Sequence, residues 1–375
     1  MTMWIIIMYI MLMATAMSLV YLSWRVGKFN FVRVIAGNKR RKRIFLGVFI
    51  VFGLFFLISI WLDLINAIVC AVYFAMIWGA CDIVFTVMEK WRAKSFKAYY
   101  AGGWAFFLAV AALTCGWYLN HNVWQTTYEL ISAKNVKLVK IALFADSHLG
   151  TTFKAEGFAK HIAAIQAQNP DMLIVAGDFV DDGTSKKDMI EASKILGNVK
   201  TKYGVYFVFG NHDKGYYGSA YRGFSSKDLV DELEKNGVVV LRDEAQLVDD
   251  AFYVIGRRDL SEVKEKNGSR QSMEQIVSGI DKNKYLIVVD HQPADYNNQT
   301  KSEVDLVLSG HTHGGQLFPF NQVGKWIGAN DMVYGHEKRR NTDFIVTSGL
   351  SDWAIKFKTG TKSEFVIINV QPKNQ

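Results

Sequence analysis

Val205-Tyr206-Phe207-Val208-Phe209-Gly210-Asn211-His212-Asp213 is a run of five β-branched or aromatic residues that breaks at a glycine into an amide, an imidazole and a carboxylate. Such a run predicts a short buried strand whose following loop carries polar chemistry. The figure recurs on either side of it. Val136 to Phe144 and Met172 to Ala176 read as earlier strands. Between them a helix from Ala155 to Gln168 sets Phe158, Ile162 and Ile165 on one face and stops at Asn169 and Pro170. Helices from Lys186 to Leu196 and Ser226 to Lys235, and a strand from Val238 to Leu241, continue an alternation that means helices packed on a largely parallel sheet. From Ala245 strands dominate: Leu247 to Val248, Phe252 to Ile255, Tyr285 to Val289, Leu306 to Leu308, Phe344 to Thr347 and Glu364 to Val370. Two facing sheets with helices outside them are expected.

In such sheets the residues just past the C-terminal strand ends face a common crevice. Here those positions read Asp146-Ser147-His148, then Gly177-Asp178 leading to Asp181-Asp182-Gly183, then Gly210-Asn211-His212-Asp213. Later strands run into Asp290-His291-Gln292-Pro293 and Ser309-Gly310-His311-Thr312-His313-Gly314-Gly315-Gln316. Any one of these is as compatible with a turn or a carbonyl-bonded histidine as with a ligand. Five of the chain's eight histidines fall in such loops, however, each after an apolar run. Carboxylate, imidazole and amide donors without thiolate favour a borderline or hard divalent ion such as Mn, Fe or Zn. So many ligands point to two ions, which together can polarise a phosphoryl oxygen and make hydroxide from bound water. Glycines beside the ligands let backbone and substrate approach.

The first third of the chain has a different chemistry. The 375 residues are 50% hydrophobic with a net charge of +8. Twelve of the 43 Lys and Arg precede Thr126, against three of the 35 acids, an excess of nine; the remainder is one short of neutral. The overall charge therefore gives no support to nucleic-acid binding. Met1 to Trp24 and Ile44 to Leu62 carry no charged side chain, Leu64 to Met88 only Asp82, and Ala98 to Tyr128 only His121. Each can supply the roughly 20 apolar residues of a spanning helix, with spans at about 4–23, 44–62, 65–88 and 99–119 of a membrane region covering residues 1–122. A cleaved leader is the alternative for the first, but no basic segment precedes it and other spans follow. The basic residues lie between spans one and two (eight) and between spans three and four (four). The positive-inside rule then places residues beyond about His121 outside the cytoplasm of a multi-pass plasma (inner) membrane protein. Asp82 is either a functional intramembrane carboxylate or a hydrogen-bonded group near the headgroups. Residues 123–134 read as a polar connector and 135–375 as one domain. Cys70, Cys81 and Cys115 match no zinc or disulfide spacing.

Taken in order, the five loops resemble the motif set of the calcineurin-like metallophosphoesterases, over roughly Val136 to Val370. The resemblance implies an α/β fold, a four-layer α/β/β/α sandwich preceded here by about four transmembrane helices. It implies a phosphoesterase, a metal-dependent hydrolase whose dinuclear centre supplies a metal-bound hydroxide to phosphate esters. Position by position, Asp146, His148 and His313 would hold one metal and Asp178 would bridge to a second, completed by Asn211, His291 and His311. His212 would act on the phosphoryl group or leaving oxygen without ligating metal, with Asp181 orienting its imidazole. The protein serine/threonine phosphatases of the group differ at Asp182-Gly183 and Asp213, and the Gly-His-Thr-His-Gly-Gly-Gln ending is closer to bacterial, often membrane-anchored members. The expected substrate is a phosphodiester or phosphomonoester, with lipid headgroups, lipid-linked phosphates and nucleotides as candidates. The alternative is a catalytically silent metal-binding sensor or scaffold in the membrane. Outside the motifs, His121, His161 and His336 read as surface or interfacial groups, the last in a loop. Arg257 and Arg258 read either as a phosphate contact or as a surface pair. Tyr216 and Tyr217 read either as a stacking platform or as a packed loop.

Overall fold

The computed structural model describes residues 2–134, 136–264 and 268–373, with side chains from Met8 onward; the expected domain boundary at residue 135 lies outside them. The chain forms two units, Met1–Trp117 with Ala354–Lys356, and Tyr118–Trp353 with Phe357–Gln375.

The first unit is helical: α1 (Thr2–Val26), a short α2 (Asn30–Ala36) inside the first basic segment, α3 (Arg40–Trp61), α4 (Leu64–Arg92) and α5 (Tyr100–His121), whose last residues pass into the second unit. Four of them are long and apolar enough to cross a membrane. Small residues bring α1 and α3 together. A Cβ on Gly47 would collide with the Ser23 carbonyl, the kind of close backbone approach that apolar helices use in place of a hydrophobic drive. Asp82 of α4 ties three segments. Its carboxylate accepts from Tyr21 Oη at 2.5 Å and Tyr99 Oη at 2.9 Å and pairs with Arg25 Nε at 2.7 Å. Asp82 is thus a hydrogen-bonded group, and its contact with Arg25 places the α1 and α4 ends that flank the two basic segments side by side.

The second unit has two six-stranded sheets. The first runs β1 (Val123–Ser132), β12 (Ser363–Pro372), β2 (Val139–Phe144), β3 (Met172–Ala176), β4 (Val205–Val208), β5 (Val239–Val240). The second runs β10 (Gly335–Arg339), β11 (Thr342–Val346), β9 (Leu306–Ser309), β8 (Tyr285–Val289), β7 (Phe252–Gly256), β6 (Glu244–Val248). Alternation decides the layers. Ile141, Leu143, Met172 and Ile174 of one sheet pack with Val254, Ile287, Leu306 and Ile345 of the other in the central core. The side chains between them, Ala142, Phe144, Leu173 and Val175, turn outward onto helices Ala155–Gln166, Lys186–Gly197 and Ser226–Lys235 through Phe158, Met189 and Leu229. The outer face of the second sheet is covered by Met273, Ile276 and Tyr296 from two short helices. The result is the expected α/β/β/α sandwich. Strands β2, β3 and β4 are parallel, as are β7, β8, β9 and β11.

Two segments differ from the sequence reading. Residues expected to form a connector are strand β1, which pairs in parallel with β12 over ten residues, from Val123 beside Ser363 to Ser132 beside Pro372. Its open edge position leaves Gln125, Thr127 and Glu129 in solvent, so half of a true strand reads as polar linker. His336, expected in a loop, lies in β10, where its Nε2 is 2.8 Å from Asp343 Oδ1 of the paired strand β11.

Candidate functional site

The loops after β2, β3, β4, β8 and β9 converge, and two groups of donors result. Asp146, His148 and His313 present one ligand atom each within 4.8 Å of one another, and so do Asp178, His291 and His311. Asp178 reaches toward both groups: its Oδ2 lies 3.1 Å from His291 Nε2 and 3.7 Å from His148 Nε2. Asn211, from the loop after β4, is buried beside Asp178 and its Oδ1 forms no hydrogen bond.

Backbone contacts hold the loops in register. The His148 amide donates to the Asp178 carbonyl at 3.1 Å, and the His212 amide donates to Asp178 Oδ1 at 2.8 Å. The His311 amide donates to both carboxylate oxygens of Asp146 at 3.0 Å. Gly177 permits a close crossing, at φ +85°. A Cβ there would lie 2.6 Å from both the Gly210 nitrogen and His291 Nδ1, which only glycine avoids.

The histidine tautomers follow from their outer partners. His291 Nδ1 is 2.7 Å from the Ala176 carbonyl; a carbonyl only accepts, so Nδ1 carries a proton and Nε2, which faces Asp178, is the nitrogen that could take a cation. His313 Nδ1 is likewise 3.1 Å from the Ser351 carbonyl and 3.1 Å from Asp352 Oδ1. These are the outer contacts that orient metal-binding imidazoles. His148 Nε2 and Asn211 Oδ1 are buried and form no hydrogen bond, a cost of about 1–3 kcal/mol each unless a cation meets them. This donor set fits divalent ions.

Left to themselves the protein groups charge His291: burial opposes it, but the facing Asp178 outweighs burial and holds it well above its ordinary value, and a bound cation would displace that proton. Burial opposes charge on Asp178, but the facing His291 and then His212 outweigh it and hold the carboxyl well below its ordinary range. Burial, followed by the charge of His291, pushes His311 down to about 4, which keeps it neutral as a ligand must be. Burial also lowers His212.

Asp181 is placed differently from the expectation that it orients His212. Its Oδ2 lies 3.4 Å from His148 Nδ1, and its Oδ1 accepts from the Gly183 amide at 2.7 Å. His212 Nδ1 has no hydrogen-bond partner; its ring sits 4.9 Å from that of His148, 5.1 Å from Tyr216 and 5.2 Å from Trp353. Tyr216 Oη accepts from Asn211 Nδ2 at 3.0 Å, though Tyr216 and Tyr217 are both exposed. Arg257 is neither a phosphate contact nor a surface group. It is buried against Asp290 Oδ2 at 3.2 Å and Asp295 Oδ2 at 2.9 Å, where Arg270 also pairs with Asp290. Arg258 is exposed and packs by Asp243.

Three contributors were not anticipated. Asp213, fully buried, accepts from the amides of Asp178 at 2.9 Å, Gly210 at 2.7 Å and Val180 at 3.0 Å, and so staples two motif loops. Burial and the charge of Asp178 push it up to about 7. Asp352 and Lys358, both fully buried, lie 3.3 Å apart behind His313. Asp352 follows β11, and the strand-end rule that found the other five loops would have reached it if carried to this one.

The calcineurin-like phosphoesterase family model matches residues 139–315, a segment that contains all five loops. An uncharacterized metallophosphoesterase of Campylobacter jejuni is 29% identical over 63% of this chain and 60% of its own length. One from Bacillus subtilis is 29% identical over 61% of this chain and 82% of its own. A zebrafish transmembrane protein with a metallophosphoesterase domain is 28% identical over 61% of this chain and 52% of its own. The chain thus spans 60% of the Campylobacter relative and about half of the zebrafish one. The loops that gather two ligand groups lie in the segment that matches the model, and this chain carries a calcineurin-like phosphoesterase domain.

Proposed function

We propose that the chain is a membrane-anchored phosphoesterase that hydrolyses phosphodiesters or phosphomonoesters. The observation that carries this reading is the pair of three-residue ligand groups facing each other across Asp178. Asp146, His148 and His313 would hold one divalent ion and Asp178, Asn211, His291 and His311 a second, with Asp178 shared. When bound, two such ions polarise a phosphoryl group and lower the pKa of water. Manganese, iron and zinc suit these donors.

The chain's own residues do the rest. The Ala176 and Ser351 carbonyls take the Nδ1 protons of His291 and His313, with Asp352 3.1 Å from the latter ring, and so would leave the other ring nitrogens to the ions. His212 ligates neither group and stands over His148, free to stabilise the phosphoryl group or protonate the leaving oxygen. Asp181 faces the His148 ring at 3.4 Å rather than that of His212. Lipid headgroups or lipid-linked phosphates are the favoured substrates, supported by the four apolar helices in the same chain; soluble nucleotides are the rival. The basic segments support a catalytic unit outside the cytoplasm.

Asp178→Asn or His311→Ala in the full chain should lower turnover of an aryl phosphodiester by at least about a thousandfold, with metal content of the same samples read by mass spectrometry. Unchanged turnover would sink the assignment. Bound metal in a wild-type chain that hydrolyses no phosphomonoester, diester or pyrophosphate would favour the silent sensor or scaffold.

A further inference from the structure

The helical unit carries three adjoining cavities that the phosphoesterase reading does not use. The first, about 420 Å³, is apolar and lies among α1, α3 and α4, lined by Leu22, Val51, Phe55, Ala71 and Trp78. The third, about 310 Å³, is polar and sits at the end of the bundle that holds the basic segments, lined by Arg25, Lys28, Arg33 and Lys97 with Asp82 and Glu89. A groove of about 540 Å³ joins them, sharing Phe29 and Gly103 with the apolar cavity and Asn30, Tyr99 and Tyr100 with the polar one.

The charges in the polar cavity are unevenly satisfied. Asp82 is taken by Arg25, Tyr21 and Tyr99, and Glu89 accepts from the Phe96 amide at 2.8 Å. Lys28, Arg33 and Lys97 have no acidic partner within 4 Å among the described residues. Lys28 instead rests over the rings of Trp24 and Tyr99, at 5.0 and 5.3 Å. Three cations without an acidic partner at the mouth of an apolar groove match a ligand with an anionic head and a hydrocarbon tail, and basic pockets between membrane helices are known to take such headgroups.

We propose that this unit binds an anionic phospholipid, with its phosphate at Lys28, Arg33 and Lys97 and an acyl chain running through the groove toward Trp78. A soluble anion would use only the head pocket and would leave the groove without a role. The proposal stands independently of the phosphoesterase reading, because lipid is counted by mass and not by turnover.

The test is native mass spectrometry of the full chain in mild detergent, titrated with phosphatidylglycerol and with phosphatidylcholine of identical acyl chains. At roughly fivefold per basic residue, phosphatidylglycerol should bind on the order of a hundredfold more tightly. K28Q/R33Q/K97Q should abolish the preference. Gly103→Leu should weaken both lipids, since a Cβ at Gly103 meets nothing within 4 Å and the larger side chain would enter the groove. Should the triple variant fail to fold, Arg33→Gln, at an exposed residue, should alone cost about fivefold. Equal affinity for the two lipids, an unchanged preference in the variants, or a lipid-free dimer that Gly103→Leu dissociates would each overturn the proposal.

Discussion

Five of the candidate ligands are held in the left-handed backbone region: Asp146 at φ +52°, His148 at +36°, Asp178 at +51°, His311 at +71° and His313 at +49°. Each such non-glycine residue costs about 1–2 kcal/mol. The hydrogen bonds that cross between loops hold them there, and such strain gathers where donors must be aimed. The arrangement separates two roles that sequence alone had joined. Asp181→Asn should weaken metal binding by about 10–100-fold, as loss of an outer partner of a ligating imidazole does, while His212→Gln should leave metal content unchanged and lower kcat. Metal titration beside steady-state kinetics distinguishes them; the reverse pattern would restore Asp181 to His212. Gly177→Ala, with its Cβ 2.6 Å from two atoms at φ +85°, should destabilise the phosphoesterase unit by about 2–4 kcal/mol. A denaturation midpoint followed by intrinsic fluorescence would show it.

At the scale of elements, strand β1 tests what the sequence could reveal. Leu130 is 3% exposed and packs in the central core with Val136 and Val370. Leu130→Ala should therefore cost about 2–4 kcal/mol, against nearly nothing for a linker residue. An unchanged urea midpoint would count against β1 as a core strand. Strands Met172–Ala176 and Tyr285–Val289 were legible to the residue because both faces are buried and the apolar run is unbroken. Strand β1 was not, because its partner β12 lies about 230 residues away and three of its outward side chains, Gln125, Thr127 and Glu129, are polar. The donor types at the strand ends were legible for the same local reason. Which carboxylate backs which imidazole was not, since the pairing of Asp181 with His148 and of Asp352 with His313 is set by how separate loops cross.

At the scale of the whole molecule, the net charge of +8 divides into a basic helical unit and a nearly neutral phosphoesterase unit. Protease added to intact cells or spheroplasts should cleave the phosphoesterase unit; protection until lysis would invert the orientation read from the basic segments. The pairing of β1 with β12 adds a consequence in time. Roughly 230 residues separate the end of one from the start of the other, and at 5–20 residues per second the ribosome takes about 10–50 s to span them. For that interval β1 has no partner and the sheet edge it will share with β12 does not exist. The nascent chain is then an open template for other strands, and its exposure to chaperones and aggregation is set by the speed of translation.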